Sequence, residues 1–120
     1  MTRRLANVTF STLQRVTVAH ITGDIDASNS PRLQTIILEH IANQDTGLVI
    51  DLTNLTYIDS TGIRLLYEIS LRLDHRGQTL RVALPPDSPI RRILAITKLD
   101  TLINVDKTAQ QAAAALTPPA

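Results

Sequence analysis

The segment Ile58-Asp59-Ser60-Thr61-Gly62-Ile63 sets two hydroxyls beside a carboxylate where a strand-like run gives way to a helix. The strand is read at Leu48-Val49-Ile50, and the helix carries Leu65, Leu66, Ile69 and Leu73 on one face at helical spacing. At a helix N-terminus the first backbone N–H groups are unpaired and the dipole favours negative charge. A phosphate on one of these hydroxyls would be well received there. Asp, Ser and Thr are also ordinary capping residues, so the segment has a purely structural reading too. Two features speak for more. One helix start cannot use every capping candidate present, which leaves at least one hydroxyl free. Gly62 also falls in the first turn, where glycine costs about 1 kcal/mol relative to alanine. A glycine there implies close approach by other backbone, or a need to keep bulk away from the hydroxyls.

A serine can alternatively act as a nucleophile, given a base in hydrogen-bond reach and a third group to orient that base. The histidines are His20, His40 and His75. His75 closes the helix that Ser60 opens, about 20 Å away at 1.5 Å per residue. His20, within a strand, and His40, along the first helix, read as satisfied structural residues. Ser60 therefore has no base, and an enzyme is not expected. No pair of His, Asp or Glu residues has metal-ligand spacing, and no metal or cofactor is implied.

The 120 residues and 43% hydrophobic content suit one folded domain. Phe10, Tyr57 and Tyr67 are the only aromatics, so Leu, Ile, Val and Ala must build the core. That excludes a stacking platform for single-stranded nucleic acid, and a net charge of +1 gives no basic footprint. Arg3-Arg4 and Arg91-Arg92 read as solvated pairs. There is no cysteine, hence no disulfide framework or thiolate zinc site. No apolar run has the length of a membrane span, and the N-terminus lacks a signal-peptide pattern, so a cytoplasmic protein is expected.

The elements that position the hydroxyl segment follow from periodicity. Val8-Thr9-Phe10 and 16–21 read as a hairpin, with Val16, Val18 and His20 on one face and Thr17, Ala19 and Ile21 on the other. Gly23-Asp24-Ile25-Asp26 reads as a loop. Ser30 then caps a helix with Pro31 at its first position, running to about Asn43. A strand at 48–51, the helix after Ser60, a strand at 79–83, a helix from Pro89 to about Thr97, a strand at 102–105 and a helix at 110–116 complete the order ββαβαβαβα. This order predicts an α/β fold with a largely parallel sheet preceded by a hairpin. The domain spans 1–120, its core about 8–116, with 117–120 a frayed tail.

Three motifs then stand in register: Gly23-Asp24-Ile25-Asp26, Asp59-Ser60-Thr61-Gly62 and Ile93-Leu94-Ala95-Ile96-Thr97-Lys98-Leu99. Together they resemble the anti-sigma factor antagonists, the bacterial branch of the STAS domain family, over nearly the whole chain. The resemblance implies a mixed sheet with helices largely on one face and no catalytic centre. It implies Ser60 as phosphoacceptor for an anti-sigma factor that is also a serine kinase of the histidine-kinase-like ATPase type, reset by a serine phosphatase. The implied partner surface comprises Asp24, Asp26, Asp59, Ser60, Thr61, Gly62 and Arg64, with Asp26 near the phosphoacceptor. Relatives commonly carry a small apolar run with a second glycine where this chain has Ile63-Arg64-Leu65-Leu66. Arg64 is spaced to meet either a phosphate on Ser60 or Glu68, which in turn is spaced to meet Arg72. The competing reading is a STAS subunit of another assembly: a stressosome-like scaffold, a secretion or carbon-control phospho-relay, or a lipid-transport accessory subunit.

Overall fold

The computed structural model describes residues 5–117. Strands β1 (Asn7–Leu13) and β2 (Val16–Ile25) form an antiparallel hairpin. Its two-residue turn places both Gln14 and Arg15 at positive φ, the twist a tight hairpin demands even without glycine or asparagine. Next come α1 (Ser30–His40), β3 (Gly47–Asp51), β4 (Leu55–Ile58), α2 (Ser60–His75), β5 (Thr79–Ala83) and α3 (Pro89–Ile96). A short 3₁₀ turn (Leu99–Thr101), β6 (Asn104–Asp106) and α4 (Ala109–Leu116) finish the chain. The sheet order is β1-β2-β3-β5-β6, antiparallel only between β1 and β2. This is the α/β architecture with a mixed, mostly parallel sheet that the element order predicted.

Both sheet faces are covered, which is why β3 reads as an unbroken apolar run. On one face Ala19, Ile21, Leu48, Ile50, Leu80 and Val82 meet Leu33 and Ile37 of α1, Leu66, Ile69 and Leu73 of α2, and Leu94 of α3. On the other, Val16, Val18, Val49 and Ala83 meet only α4, through Ala109, Ala112, Ala113 and Leu116. The small alanines let this helix lie close to the sheet. Three helices on one face and one on the other match the expected asymmetry.

The structure departs from the sequence reading where period and composition mislead. Strand β4 was not foreseen, because its buried, exposed, exposed, buried order at Leu55, Thr56, Tyr57 and Ile58 has no two-residue alternation. Gly23 and Asp24 belong to β2, not to a loop: β2 pairs with β3 through Thr17 to His20, then shifts register at a bulge and pairs with β4 through Gly23 to Ile25. Gly23 sits at φ +84°, and a Cβ there would lie 2.4 Å from the Leu5 carbonyl oxygen. Helix α1 takes Ser30 as its first residue, with Asn29 in the capping position, and stops at His40. The last strand begins at Asn104, since Leu102 and Ile103 still close the preceding turn. Thr117 is tied down, its hydroxyl donating to the Ala113 carbonyl at 2.8 Å. The rest of the expected tail, and the Arg3-Arg4 pair, lie outside the described residues.

Candidate functional site

The bulged end of β2 and the end of β4 run side by side and deliver the acidic segment and the hydroxyl segment to one edge. The Asp59 amide donates to the Ile25 carbonyl at 3.2 Å, fixing the start of α2 against the last residue of β2. Asp59 is the N-cap. Its Oδ1 accepts from the Thr61 amide at 2.9 Å, the Gly62 amide at 3.2 Å and the Thr61 hydroxyl at 2.5 Å. Burial pushes the Asp59 carboxyl up and the charge of Asp26 adds to that push. The hydrogen bonds from Thr61 and Gly62 outweigh both and hold it below its ordinary 3.8.

The capping work is therefore complete without Ser60. Ser60 is exposed, and its hydroxyl makes no hydrogen bond among the described residues, whereas that of Thr61 is engaged by Asp59. The helix N-terminus is not an empty anion site, because the Asp59 carboxylate already takes the Thr61 and Gly62 amides. A group added at Ser60 would meet a cap whose Thr61 and Gly62 amides are already taken, with the Asp59 carboxylate on the preceding residue.

Gly62 has a different reason from those expected. A Cβ there would lie 2.4 Å from Ile58 Cγ1 and 2.9 Å from Ile25 Cγ2. The bulk it avoids is the side chains at the ends of β4 and β2, not other backbone. Asp26 is 6% exposed, and its Oδ1 accepts from the Ser28 amide at 2.9 Å and from the Ser28 hydroxyl. Asn29 locks the same turn, accepting from the Asp26 amide at 3.1 Å and donating to the Asp24 carbonyl at 2.8 Å. Asp24 faces β4, with Oδ1 accepting from the Thr56 hydroxyl at 2.6 Å. Of the two acids in this motif, it is Asp26 whose charge reaches Asp59.

Arg64 is exposed and makes no ion pair among the described residues. The ladder through Glu68 and Arg72 is not formed, because exposed pairs of this kind gain too little to hold two long side chains in one geometry. Arg64 instead borders two grooves. One, about 380 Å³, runs between α1 and α2 past Ala27, Gln34 and Thr61. The other, about 330 Å³, is walled by Ser60, Ile63, Tyr67, Thr97, Leu99 and Leu102. In this second groove Tyr67 is 40% and Leu102 63% exposed, so an apolar surface adjoins the free hydroxyl. The sequence reading did not find this surface; Tyr67 lies off the apolar stripe of α2, the only signal it left.

No histidine serves Ser60. His20 is held by Ser11 and Asp51, and His40 stacks on Phe10 with ring centroids 3.7 Å apart. Among the described residues no helix is long and apolar enough to cross a membrane, and no group of three His, Asp or Glu side chains is placed to hold a metal ion.

The family model of the STAS domain matches residues 7–112. The chain belongs to the STAS domain family. Several solved structures share its fold. An anti-sigma factor antagonist from Mycobacterium paratuberculosis superposes with a TM-score of 0.82 at 24% identity, covering 95% of this chain and 96% of the other. An anti-sigma-factor antagonist (STAS) domain protein from Planctomyces limnophilus gives 0.72 at 23% identity, covering 93% and 98%. The phosphorylated form of the Bacillus cell fate determinant SpoIIAA gives 0.61 at 17% identity, covering 92% and 99%. The STAS fold of this chain thus presents Asp59, Ser60, Thr61 and Gly62 at the N-terminus of α2, beside Asp26.

Proposed function

We propose that this STAS protein is an anti-sigma factor antagonist that works as a phospho-switched binding protein. Unmodified, it sequesters an anti-sigma factor that is also a serine kinase of the histidine-kinase-like ATPase type. Phosphorylation at Ser60 ends the complex, and a serine phosphatase resets it. The observation that carries the reading is the Ser60 hydroxyl, exposed and without a hydrogen bond among the described residues, at a helix start whose capping is done by Asp59. A residue with no structural task can be modified without disturbing the fold.

Charge supplies the mechanism. A phosphoserine adds about −1.5 to −2 charge. At Ser60 it stands beside the Asp59 carboxylate and within the field of Asp26, with the cap amides already taken. In a complex that covers the apolar groove at Ile63, Tyr67, Leu99 and Leu102, that charge is desolvated without its full set of partners. A loss of a few kcal/mol there weakens binding by orders of magnitude, since each 1.4 kcal/mol is about tenfold. Arg64, on the same helix and without an ion pair among the described residues, is the cation nearest in sequence to that phosphate.

The test is titration calorimetry against the protein's anti-sigma factor partner of the histidine-kinase-like ATPase type. Ser60→Ala is expected to bind like wild type and to stay bound in the presence of ATP, while Ser60→Asp binds much more weakly. Equal affinities for all three proteins would place the interface elsewhere and put the role of subunit in another assembly ahead.

A further inference from the structure

On the opposite face of the sheet, beyond the start of α4, three polar side chains from three neighbouring strands join in a line. Ser11 is on β1, His20 on β2 and Asp51 at the end of β3; His20 and Asp51 are register partners. The Asp51 carboxylate is fixed at both oxygens. Oδ1 accepts from the Thr53 amide at 3.0 Å and from the Thr53 hydroxyl, and Oδ2 lies 2.8 Å from His20 Nδ1. A carboxylate against Nδ1 places the imidazole proton on that nitrogen and leaves Nε2 as an acceptor. Ser11 Oγ lies 2.7 Å from Nε2, so the hydroxyl donates to a base that an acid orients. This is the relation a serine nucleophile requires and which Ser60 lacks.

The line opens into a cavity of about 370 Å³ whose walls include Leu13, Asn54, Pro85, Lys107, Ala109 and Gln110. Thr108 caps α4 by accepting from the Gln111 amide, and the amides of Ala109 and Gln110 have no acceptor among the described residues. Ala109 and Gln110, whose N–H groups have no acceptor among the described residues, and the cation Lys107 thus belong to the lining of the cavity that Ser11 also lines, the type of group that stabilises a developing oxyanion.

We propose that Ser11, His20 and Asp51 form an acyl-transfer site that hydrolyses small carboxylic esters, separate from the Ser60 surface. Ser11 Oγ bonds to the ester carbonyl carbon as its proton passes to His20 Nε2. The carbonyl oxygen takes the negative charge, facing the Ala109 and Gln110 amides. The bond from carbon to the alkoxy oxygen then breaks, and Nε2 gives its proton to the leaving alcohol. Water repeats the sequence on the acylated Ser11, with Nε2 taking its proton and returning it to Oγ, releasing the acid and the free serine. Asp51 is the positioning residue throughout. The cavity volume and its Leu13 and Pro85 walls suit a short acyl chain.

The test uses the full chain with p-nitrophenyl acetate as substrate and a fluorophosphonate as covalent probe. Mass spectrometry is expected to find the phosphonyl adduct on Ser11, formed with loss of fluoride. Ester turnover is expected to fall by at least about 100-fold in Ser11→Ala and His20→Gln. Asp51→Asn is expected to lower kcat with KM little changed, the split that a residue acting only through the orientation of His20 would give. Urea midpoints of each variant separate loss of chemistry from loss of fold. Labelling of the wild type needs no variant at all. Absence of an adduct on Ser11, or equal turnover by wild type and a folded Ser11→Ala protein, overturns the proposal.

Discussion

Replacing Gly62 by alanine sets two known magnitudes against each other. Alanine is favoured over glycine in a helix by about 1 kcal/mol, so an unobstructed first turn would gain stability. The added Cβ, however, would lie 2.4 Å from Ile58 Cγ1, 2.9 Å from Ile25 Cγ2 and 3.0 Å from Ile58 Cδ1. Neither isoleucine can swing aside, since Ile25 is fully buried and Ile58 is 3% exposed. Overpacking of this kind costs about 1–3 kcal/mol. The net expectation is a loss of up to about 2 kcal/mol, read as a lower urea midpoint at unchanged slope. A double-mutant cycle isolates the cause. Ile58→Ala removes both Cγ1 and Cδ1 at its own cost of about 2–5 kcal/mol. In that background Gly62→Ala should become neutral or stabilising, because helix propensity then acts against a smaller obstruction. An equal loss in both backgrounds would refute the packing argument and return Gly62 to a backbone role.

The other predictions are readily made with the same melts. Ser60→Ala should leave stability within about 0.5 kcal/mol, since its hydroxyl bonds nothing among the described residues, whereas Asp59→Ala should cost about 0.5–2 kcal/mol as a lost cap. Leu66→Ala, fully buried on the same helix, should cost about 2–5 kcal/mol. Because the Asp59 pKa is held below 3.8, its contribution is fully present above that value and is lost as pH falls through the lower native pKa. Urea midpoints taken through this acid range should fall less steeply for Asp59→Asn than for wild type.

Much of the fold was legible because its buried faces follow simple periods. The apolar stripe of α2 and the continuous run of β3 each announce themselves, and the hairpin face shared by Val16 and Val18 was assigned correctly. What escaped lacked either strand-forming residues, as at Gly23 and Asp24, or two-residue alternation, as in β4. Gly23 and Asp24 extend β2 only because β4 arrives to pair with them, and β4 is itself a four-residue strand without alternation. That pair of segments carries the site: it brings Ile25 against Asp59 and Asp26 close enough for its charge to be felt there. The abundance of capping groups at 59–61 was visible in the sequence, but which group would be left over was not. The outcome depends on Asp59 adopting extended backbone and turning its carboxylate onto two amides. The contact of Ser11 with His20 was invisible for a related reason. It joins residues nine apart across a hairpin, while Asp51 arrives from a strand thirty-one residues further on.

The division of labour at the start of α2 has a consequence for how the surface can be switched. Asp59 holds the helix through bonds that do not involve Ser60, and Gly62 packs the first turn against two buried isoleucines. Events at the Ser60 hydroxyl therefore change charge and bulk on a rigid platform, not the platform itself. A device in which the modified residue was also the cap would lose stability on modification and couple signalling to unfolding. In the proposed switch the two tasks fall to adjacent residues, Asp59 and Ser60. Phosphorylation should accordingly leave the urea midpoint almost unchanged while changing partner affinity by orders of magnitude. A phosphorylated protein whose midpoint fell as far as that of Asp59→Ala would show that the cap and the switch are coupled after all.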